Sequence, residues 1–423
     1  MPFSKCNLSS FGNESKDISP NTSITCPSFI STTVSSYDRI IQFVSGFVCS
    51  FNASEHALKI INKNIANILK ENFVEYYIVR PLRELSFYMQ WTFESLYTIL
   101  VLMHVNNSIR KLIENFKITE EFYSGNILFD EPIAPRTTFH IGGIAPVLFE
   151  PFDEQSLVCL INFLKANDLD FFILGGGSNL VVSDEGFAEV VISTSKINFI
   201  KILPTEDNCD FVDVQIGSGT LMKSVVDFCV ENIFAGIEKF AGLPGSIGGA
   251  VFMNARCFDI SISELIYSVS YFDLSKMQVF NYQFNEADWA YKLSPFQTGN
   301  KIILSAVLRL QKCDNSKKDE LAVACKKYIE ERESRGHFKF PSAGSVFKNN
   351  RVFGKPSGQI IDEVGLRGMS VGDAQVAPWH GNFIINNGNA TQKDVKQLVE
   401  YIVETVKNKT GFTLEPEIIF CGI

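Results

Sequence analysis

Leu174-Gly175-Gly176-Gly177-Ser178-Asn179-Leu180-Val181-Val182 is the stretch whose reading decides the fold. An apolar run, Phe171-Phe172-Ile173-Leu174, leads into it as a strand would lead into a dinucleotide-binding turn. The third glycine of that fingerprint is missing, and Leu180 stands in its place. A short β-branched stretch follows and then a second turn, Ser183-Asp184-Glu185-Gly186, where a Rossmann unit would open a helix. The segment therefore reads as strand, glycine turn, strand. A tight bend with no ligand is the other reading of this loop alone.

A second glycine-rich turn lies about seventy residues on, Gly242-Leu243-Pro244-Gly245-Ser246-Ile247-Gly248-Gly249. Glycine is needed where the backbone takes positive φ, or where its N–H groups must come close enough to hold phosphate oxygens. Two such turns in one region point to a large phosphate-bearing cofactor.

Composition bounds the class. The chain has 423 residues, 46% hydrophobic and 20% charged, enough apolar material for two or three domains. The formal net charge of −9 argues against a general nucleic-acid binder, which needs clustered Lys and Arg. The 10 cysteines are scattered without a C-x-x-C pair, as expected of reduced thiols in a cytoplasmic protein, and no metal site is expected.

Residues 1–36 are rich in Ser, Thr and Asn, with no basic segment leading into an apolar one, and read as a disordered tail without a signal peptide. Residues 37–120 read as a helical extension. Its most apolar stretch, Phe87 to Val105, is interrupted by Gln90, Glu94 and His104 and reads as a packed or amphipathic helix, not a membrane span. From about residue 121 short strands are expected at Val147–Phe149, Phe171–Leu174, Val190–Ile192 and Val212–Ile216. Leu221 to Asn232 has helical spacing, with Leu221, Val225, Phe228 and Cys229 on the buried side. Asp394 to Lys409 is a second clear helix, buried through Val395, Leu398, Val399, Ile402 and Val406. A polar stretch, Cys313 to Lys318, marks a domain boundary.

Six stretches carry a family resemblance. They are Thr137 to Gly143, LGGGSNLVVSDEGF from Leu174 to Phe187, AGLPGSIGGAVFMNA from Ala241 to Ala255, GSVFKN from Gly344 to Asn349, SGQIIDEVGLRG from Ser357 to Gly368, and Leu414-Glu415-Pro416-Glu417. In this order they resemble the MurB family, the UDP-N-acetylenolpyruvoylglucosamine reductases (UDP-N-acetylmuramate dehydrogenases). The resemblance covers residues from about 120 to the C-terminus. Met103 stands near where many members begin, so activity is expected from about residue 110 onward.

The resemblance implies an α+β fold. A two-lobed FAD-binding domain of the vanillyl-alcohol-oxidase type would occupy residues 121–313, split near 200. A C-terminal α+β substrate domain would follow over 319–411, then a terminal strand over 412–423. It implies FAD as cofactor and NADPH as hydride donor, the reduced flavin passing hydride to the enolpyruvyl ether of a UDP-sugar in peptidoglycan precursor synthesis, and hence in cell-wall biogenesis, cell shape and division. A cytoplasmic monomer is expected. Another FAD-dependent oxidoreductase of the same class is the alternative. A serine hydrolase is disfavoured, because no G-x-S-x-G elbow occurs.

By match to the motifs, Ser345 is the expected proton donor and Glu417 the catalytic glutamate, with Glu415 its decoy. Lys292, the third expected catalytic residue, follows Tyr291 where better-known members have Tyr-Arg, keeping the charge but losing the planar fork; either it acts as a point charge or a nearby arginine substitutes. Cofactor contacts are expected from Thr138, from Gly175, Gly176, Gly177, Ser178 and Asn179, from Gly242, Pro244, Gly245, Ser246, Gly248 and Gly249, and from Asn254. Substrate contacts are expected from Tyr291, Lys348, Asn349, Gln375 and His380. Asp373 and Ala377 replace the usual Gly and Ser near Gln375, and Arg256, Cys257 and Phe258 depart from the usual small residues after Asn254.

Overall fold

The computed structural model describes residues 113, 116, 123–204 and 210–423. The tail expected over 1–36 and the stretch Phe87 to Val105 lie outside these residues. No helix among the described residues is long and apolar enough to cross a membrane.

The first lobe is a four-stranded sheet in the order β1-β2-β5-β3. Strands β1 (Gly125–Pro132) and β2 (Ile144–Pro151) pair antiparallel, helix α1 (Glu154–Ala166) follows, and β3 (Phe171–Leu174) runs parallel to the later β5. Asp153 caps α1 by accepting from the Ser156 N–H. Leu157, Leu160, Ile161 and Leu164 of α1 fill the space over the sheet, as a helical period of apolar residues requires. Between β3 and β4 (Leu180–Val182) lies the glycine turn, so strand-turn-strand is what forms; β5 (Val190–Ser193) then completes the lobe.

The second lobe is an antiparallel sheet in the order β12-β11-β13-β7-β6, with β8 added on β13. Its members are β6 (Ile200–Ile202), β7 (Phe211–Gly217), β8 (Phe234–Ala235), β11 (Ile266–Asp273), β12 (Gln278–Gln283) and the long β13 (Lys301–Lys312); a ribbon of β9 (Arg256–Cys257) and β10 (Ile260–Ser261) stands apart. Helix α2 (Met222–Glu231) buries Met222, Val225, Val226 and Cys229. Leu221, expected on that face, is instead 51% exposed, because it is the residue before the helix and forms a β-bridge with Ser246. Phe228 is only partly buried. Helix α3 (Ile247–Phe252) starts at Ser246, inside the second glycine turn.

Helix α4 (Lys318–Ser334) follows the polar stretch, yet Cys325, Tyr328 and Ile329 pack on the second lobe's core. We therefore place the start of the third part at β14 (Ser342–Ser345). Its antiparallel sheet runs β14-β17-β16-β15, from β15 (Ser370–Val371), β16 (Ala374–Val376) and β17 (Phe383–Asn386). Helices α5 (Ser357–Glu363) and α6 (Gln392–Thr410) accompany it. Thr391 and Asp394 form a reciprocal capping box at the start of α6, Gly411 ends it in the left-handed region, and the five apolar residues expected on its buried face are buried. The last strand, β18 (Ile419–Cys421), leaves this part and pairs parallel with β4 of the first lobe.

Ile113 and Phe116, both helical, are buried in the first lobe's core, where Phe116 meets the rings of Tyr123, Phe149 and Phe163 at 5.1, 5.9 and 4.4 Å. A protein lacking residues 1–102 keeps both anchors and is expected to retain cooperative unfolding and flavin binding. Phe116→Ala should cost about 3–5 kcal/mol in urea denaturation, the range for a large aromatic lost from a packed core. An unchanged midpoint would show that Phe116 anchors nothing.

Candidate functional site

The two glycine turns meet face to face. A methyl group on Gly176 would lie 2.5 Å from Gly245 Cα and 2.6 Å from Ser246 N, so only glycine allows this approach. The Gly176 N–H donates to Ser246 Oγ at 3.2 Å, joining the turns across seventy residues of sequence. Thr138 ties the first turn to the third part: its N–H donates to Gly177 O at 3.1 Å and its hydroxyl to Ser342 O at 2.7 Å.

A short antiparallel bridge fixes the other wall. The Lys348 N–H donates to Glu415 O at 2.9 Å and the Glu417 N–H to Val346 O at 2.7 Å, with Phe347 opposite Pro416. Glu417 is thereby carried alongside the segment that leaves Ser345. Asn382 locks that segment, its Oδ1 accepting from the Phe347 N–H and its Nδ2 donating to Phe347 O, both at 2.8 Å. Asn179 closes the ring by donating from Nδ2 to Glu417 O at 3.1 Å.

Lys292 reaches in from the second lobe. Its Nζ lies 2.5 Å from Glu417 Oε1, with the two side chains only 14% and 10% exposed. A buried pair in this geometry offsets part of the cost of taking two charges out of water, and loses that offset if either partner is removed.

These walls enclose a cavity of about 1070 Å³. Thr138, Gly175 to Asn179, Gly242, Pro244, Ser246, Gly248, Gly249, Lys292, Ser345 and Glu417 all line it. Gly245 stands behind this surface, against Ser178. Asn254 does not line it, although Met253 and Ala255 do, and its amide donates to Ala290 O and Leu293 O at 2.8 and 3.3 Å.

The expected substrate residues lie outside the cavity lining. Tyr291 is exposed, with its hydroxyl 3.4 Å from the Asn349 N–H; Lys348 pairs with Glu415 at 2.5 Å; and Asn349 Oδ1 accepts from the Ser357 N–H at the start of α5. Gln375 donates to Gly368 O and accepts from Asn387, away from the cavity. His380 accepts from the Asn382 N–H and faces His337, 6.1 Å between ring centres.

Sequence reasoning missed the segment from Arg332 to Phe340, which adds Arg332, Arg335, His337 and Lys339 to the lining. Arg332 is buried, makes no ion pair among the described residues, and donates from Nε to Ala241 O at 2.9 Å, beside the Gly242 turn. No motif in the sequence marks Arg332. Burial, with help from Arg332, His380 and Arg335, pushes the His337 imidazole down to about 4, so it is neutral at neutral pH.

Residues 336–421 match the UDP-N-acetylenolpyruvoylglucosamine reductase C-terminal domain, and residues 145–269 match an FAD binding domain. The UDP-N-acetylenolpyruvoylglucosamine reductase of Treponema denticola is 46% identical over 327 residues, which span 75% of this chain and 99% of that protein. The chain belongs to the UDP-N-acetylenolpyruvoylglucosamine reductase family. The reductase of Borreliella burgdorferi is 40% identical over 295 residues, 69% of this chain and 93% of that protein. The crystal structure of MurB from Thermus caldophilus shares the fold with a TM-score of 0.56 and 29% identity, covering 71% of this chain and 99% of that one.

FAD is the cofactor of this MurB-type fold, and the residues present fit it. The cavity is walled on one side by the two glycine-rich turns, and Ser218 Oγ, in its wall, is a buried hydroxyl with no hydrogen-bond partner among the described residues. A buried polar group left unpaired costs about 1–3 kcal/mol, which a polar ligand within reach would relieve. Because an added methyl at Gly176 must push Gly245 and Ser246 away, Gly176→Ala should leave the purified protein largely flavin-free. A 450 nm absorbance per mole equal to that of the unaltered protein would overturn this placement.

Proposed function

We propose that this protein reduces the enolpyruvyl ether of UDP-N-acetylenolpyruvoylglucosamine to UDP-N-acetylmuramate, with NADPH supplying the hydride. The observation that carries the reading is the convergence of Ser345, Glu417 and Lys292 on one glycine-walled cavity, from three separate parts of the chain. The backbone of Gly175 to Asn179 and of Gly242 to Gly249 would hold FAD, together with Thr138 and Ser246. When bound, FAD supplies the hydride, having been reduced by NADPH.

The remaining work falls to side chains. Hydride addition at C3 of the enolpyruvyl group leaves negative charge at C2, shared with the adjacent carboxylate, and a proton must reach C2. Ser345 is the donor in this proposal. Its hydroxyl is a weak acid, so transfer depends on position and on stabilisation of the charge it leaves. Glu417 alone would repel the substrate carboxylate; paired with Lys292 it does not, because the pair is neutral as a unit. Lys292 then meets the developing charge as a compact cation, where better-known members have the planar fork of arginine. A UDP-sugar substrate and NADPH agree with a cytoplasmic role in peptidoglycan precursor synthesis.

The class is tested anaerobically. NADPH should bleach the flavin bands, and UDP-N-acetylenolpyruvoylglucosamine should restore them; bands that return only with oxygen would assign the chain to another FAD-dependent oxidoreductase. Ser345→Ala should leave bleaching near normal and slow reoxidation by roughly 10²-fold or more. Equal slowing of both steps would make Ser345 structural.

Lys292→Ala should slow reoxidation, because it leaves Glu417 buried without its counter-charge, while Lys292→Arg should keep much of the rate. A Lys292→Ala rate within about twofold of the unaltered enzyme, under roughly 0.5 kcal/mol of transition-state stabilisation, would remove Lys292 from the mechanism.

A further inference from the structure

Lys292 has a left-handed backbone, φ 59°, a conformation that is costly for a residue with a side chain unless its surroundings impose it. It lies in a tight turn closed by two backbone hydrogen bonds, Ala290 N–H to Leu293 O at 3.2 Å and Leu293 N–H to Ala290 O at 3.0 Å. Those bonds define the turn but do not anchor it to the protein.

The anchors come from the end of α3. Asn254, 3% exposed, donates from one nitrogen to both Ala290 O and Leu293 O, and its Oδ1 accepts from the Ser263 N–H at 3.4 Å. Gln297 donates from Nε2 to Lys292 O at 3.2 Å and to Phe252 O at 2.8 Å, and the Ser294 hydroxyl donates to the same Phe252 oxygen at 2.7 Å. The carbonyls of residues 290, 292 and 293 are thus all tied, directly or through Gln297, to residues 252–254. Asn254 is itself left-handed, φ 43°, where glycine would serve the backbone equally well. What glycine lacks is the amide.

We infer that Asn254 is a positioning residue, whose amide holds the Ala290–Leu293 turn so that Lys292 is presented to Glu417, with Gln297 as a second clamp. This rests on the role given to Lys292 above. It moves Asn254 from the cofactor contacts, where its motif had placed it, to the charge that faces the substrate. Because α3 begins within the second glycine turn and ends at Asn254, one short helix sets the cavity wall at one end and the lysine at the other.

The test uses the full-length holoprotein with Asn254→Gly, which keeps the left-handed backbone and deletes the amide. FAD content and reduction by NADPH should stay within about twofold, while reoxidation by UDP-N-acetylenolpyruvoylglucosamine slows about tenfold, the scale of a displaced catalytic group. Asn254→Gly combined with Lys292→Ala should be no slower than Lys292→Ala alone, as for two residues acting through one contact. Hydrogen exchange at the Ala290 and Leu293 amides should rise in Asn254→Gly, with the lobe cores unchanged.

Unchanged exchange at those two amides would overturn the clamp whatever Lys292 does, as would multiplicative rate effects or a loss of FAD alongside both half-reactions. Faster exchange together with a silent Lys292→Ala would instead leave the clamp standing and remove the role of Lys292. Should Asn254→Gly not fold, Gln297→Met at its half-buried position removes the second clamp, and the same pattern is expected with about threefold slowing. No slowing and no added exchange in that variant would equally overturn the inference.

Discussion

The site depends on where the last residues of the chain are pinned. Glu415 and Glu417 bridge to the segment after Ser345, and two residues later Ile419 to Cys421 pair with Leu180 to Val182. Asn179, the last residue of the glycine turn, donates to Glu417 O and accepts from the Ile419 N–H between these two pairings. The turn, the serine strand and the glutamate are therefore one hydrogen-bonded object, although more than two hundred residues separate their ends. A single backbone hydrogen bond adds only about 1 kcal/mol net, but several in series along one extended segment set its direction.

The second constraint is electrostatic. Holding Lys292 and Glu417 together away from water is not an economical route to stability, since desolvation consumes most of the attraction. The turn that carries Lys292 has a left-handed backbone at that residue and accepts hydrogen bonds from the amides of Asn254 and Gln297. In the proposed reaction such an arrangement suits a cavity that receives a carboxylate-bearing substrate beside an acidic residue without repelling it. Arg332, Arg335 and Lys339 add positive charge along the cavity wall.

Much of this was legible from the chain. The break in the dinucleotide fingerprint at Leu180 correctly replaced a Rossmann helix with a strand, and the two helices read from apolar spacing formed close to their expected limits. Leu221 failed because periodicity alone does not locate the first residue of a helix; there the backbone turns to bridge Ser246 and the side chain points outward. Helix α4 follows a polar stretch that reads as a domain boundary, yet a few apolar contacts fasten it to the second lobe and bring Arg332 to the cavity. Asn254, Asn349 and Gln375 read as ligand contacts because of the motifs around them, while their amides are engaged with neighbouring backbone.

The sequence by itself determined which backbones could come close, because the absence of a Cβ at Gly176 is a local chemical fact, and it determined which residue types were present for proton transfer and charge compensation. Only the tertiary structure decided which of those residues face one another. The direction of a side chain is set by the strand register and turn that carry it, and here the deciding pairings, 346 with 417, 180 with 419 and 254 with 290 and 293, join residues too far apart in sequence for local spacing to reveal.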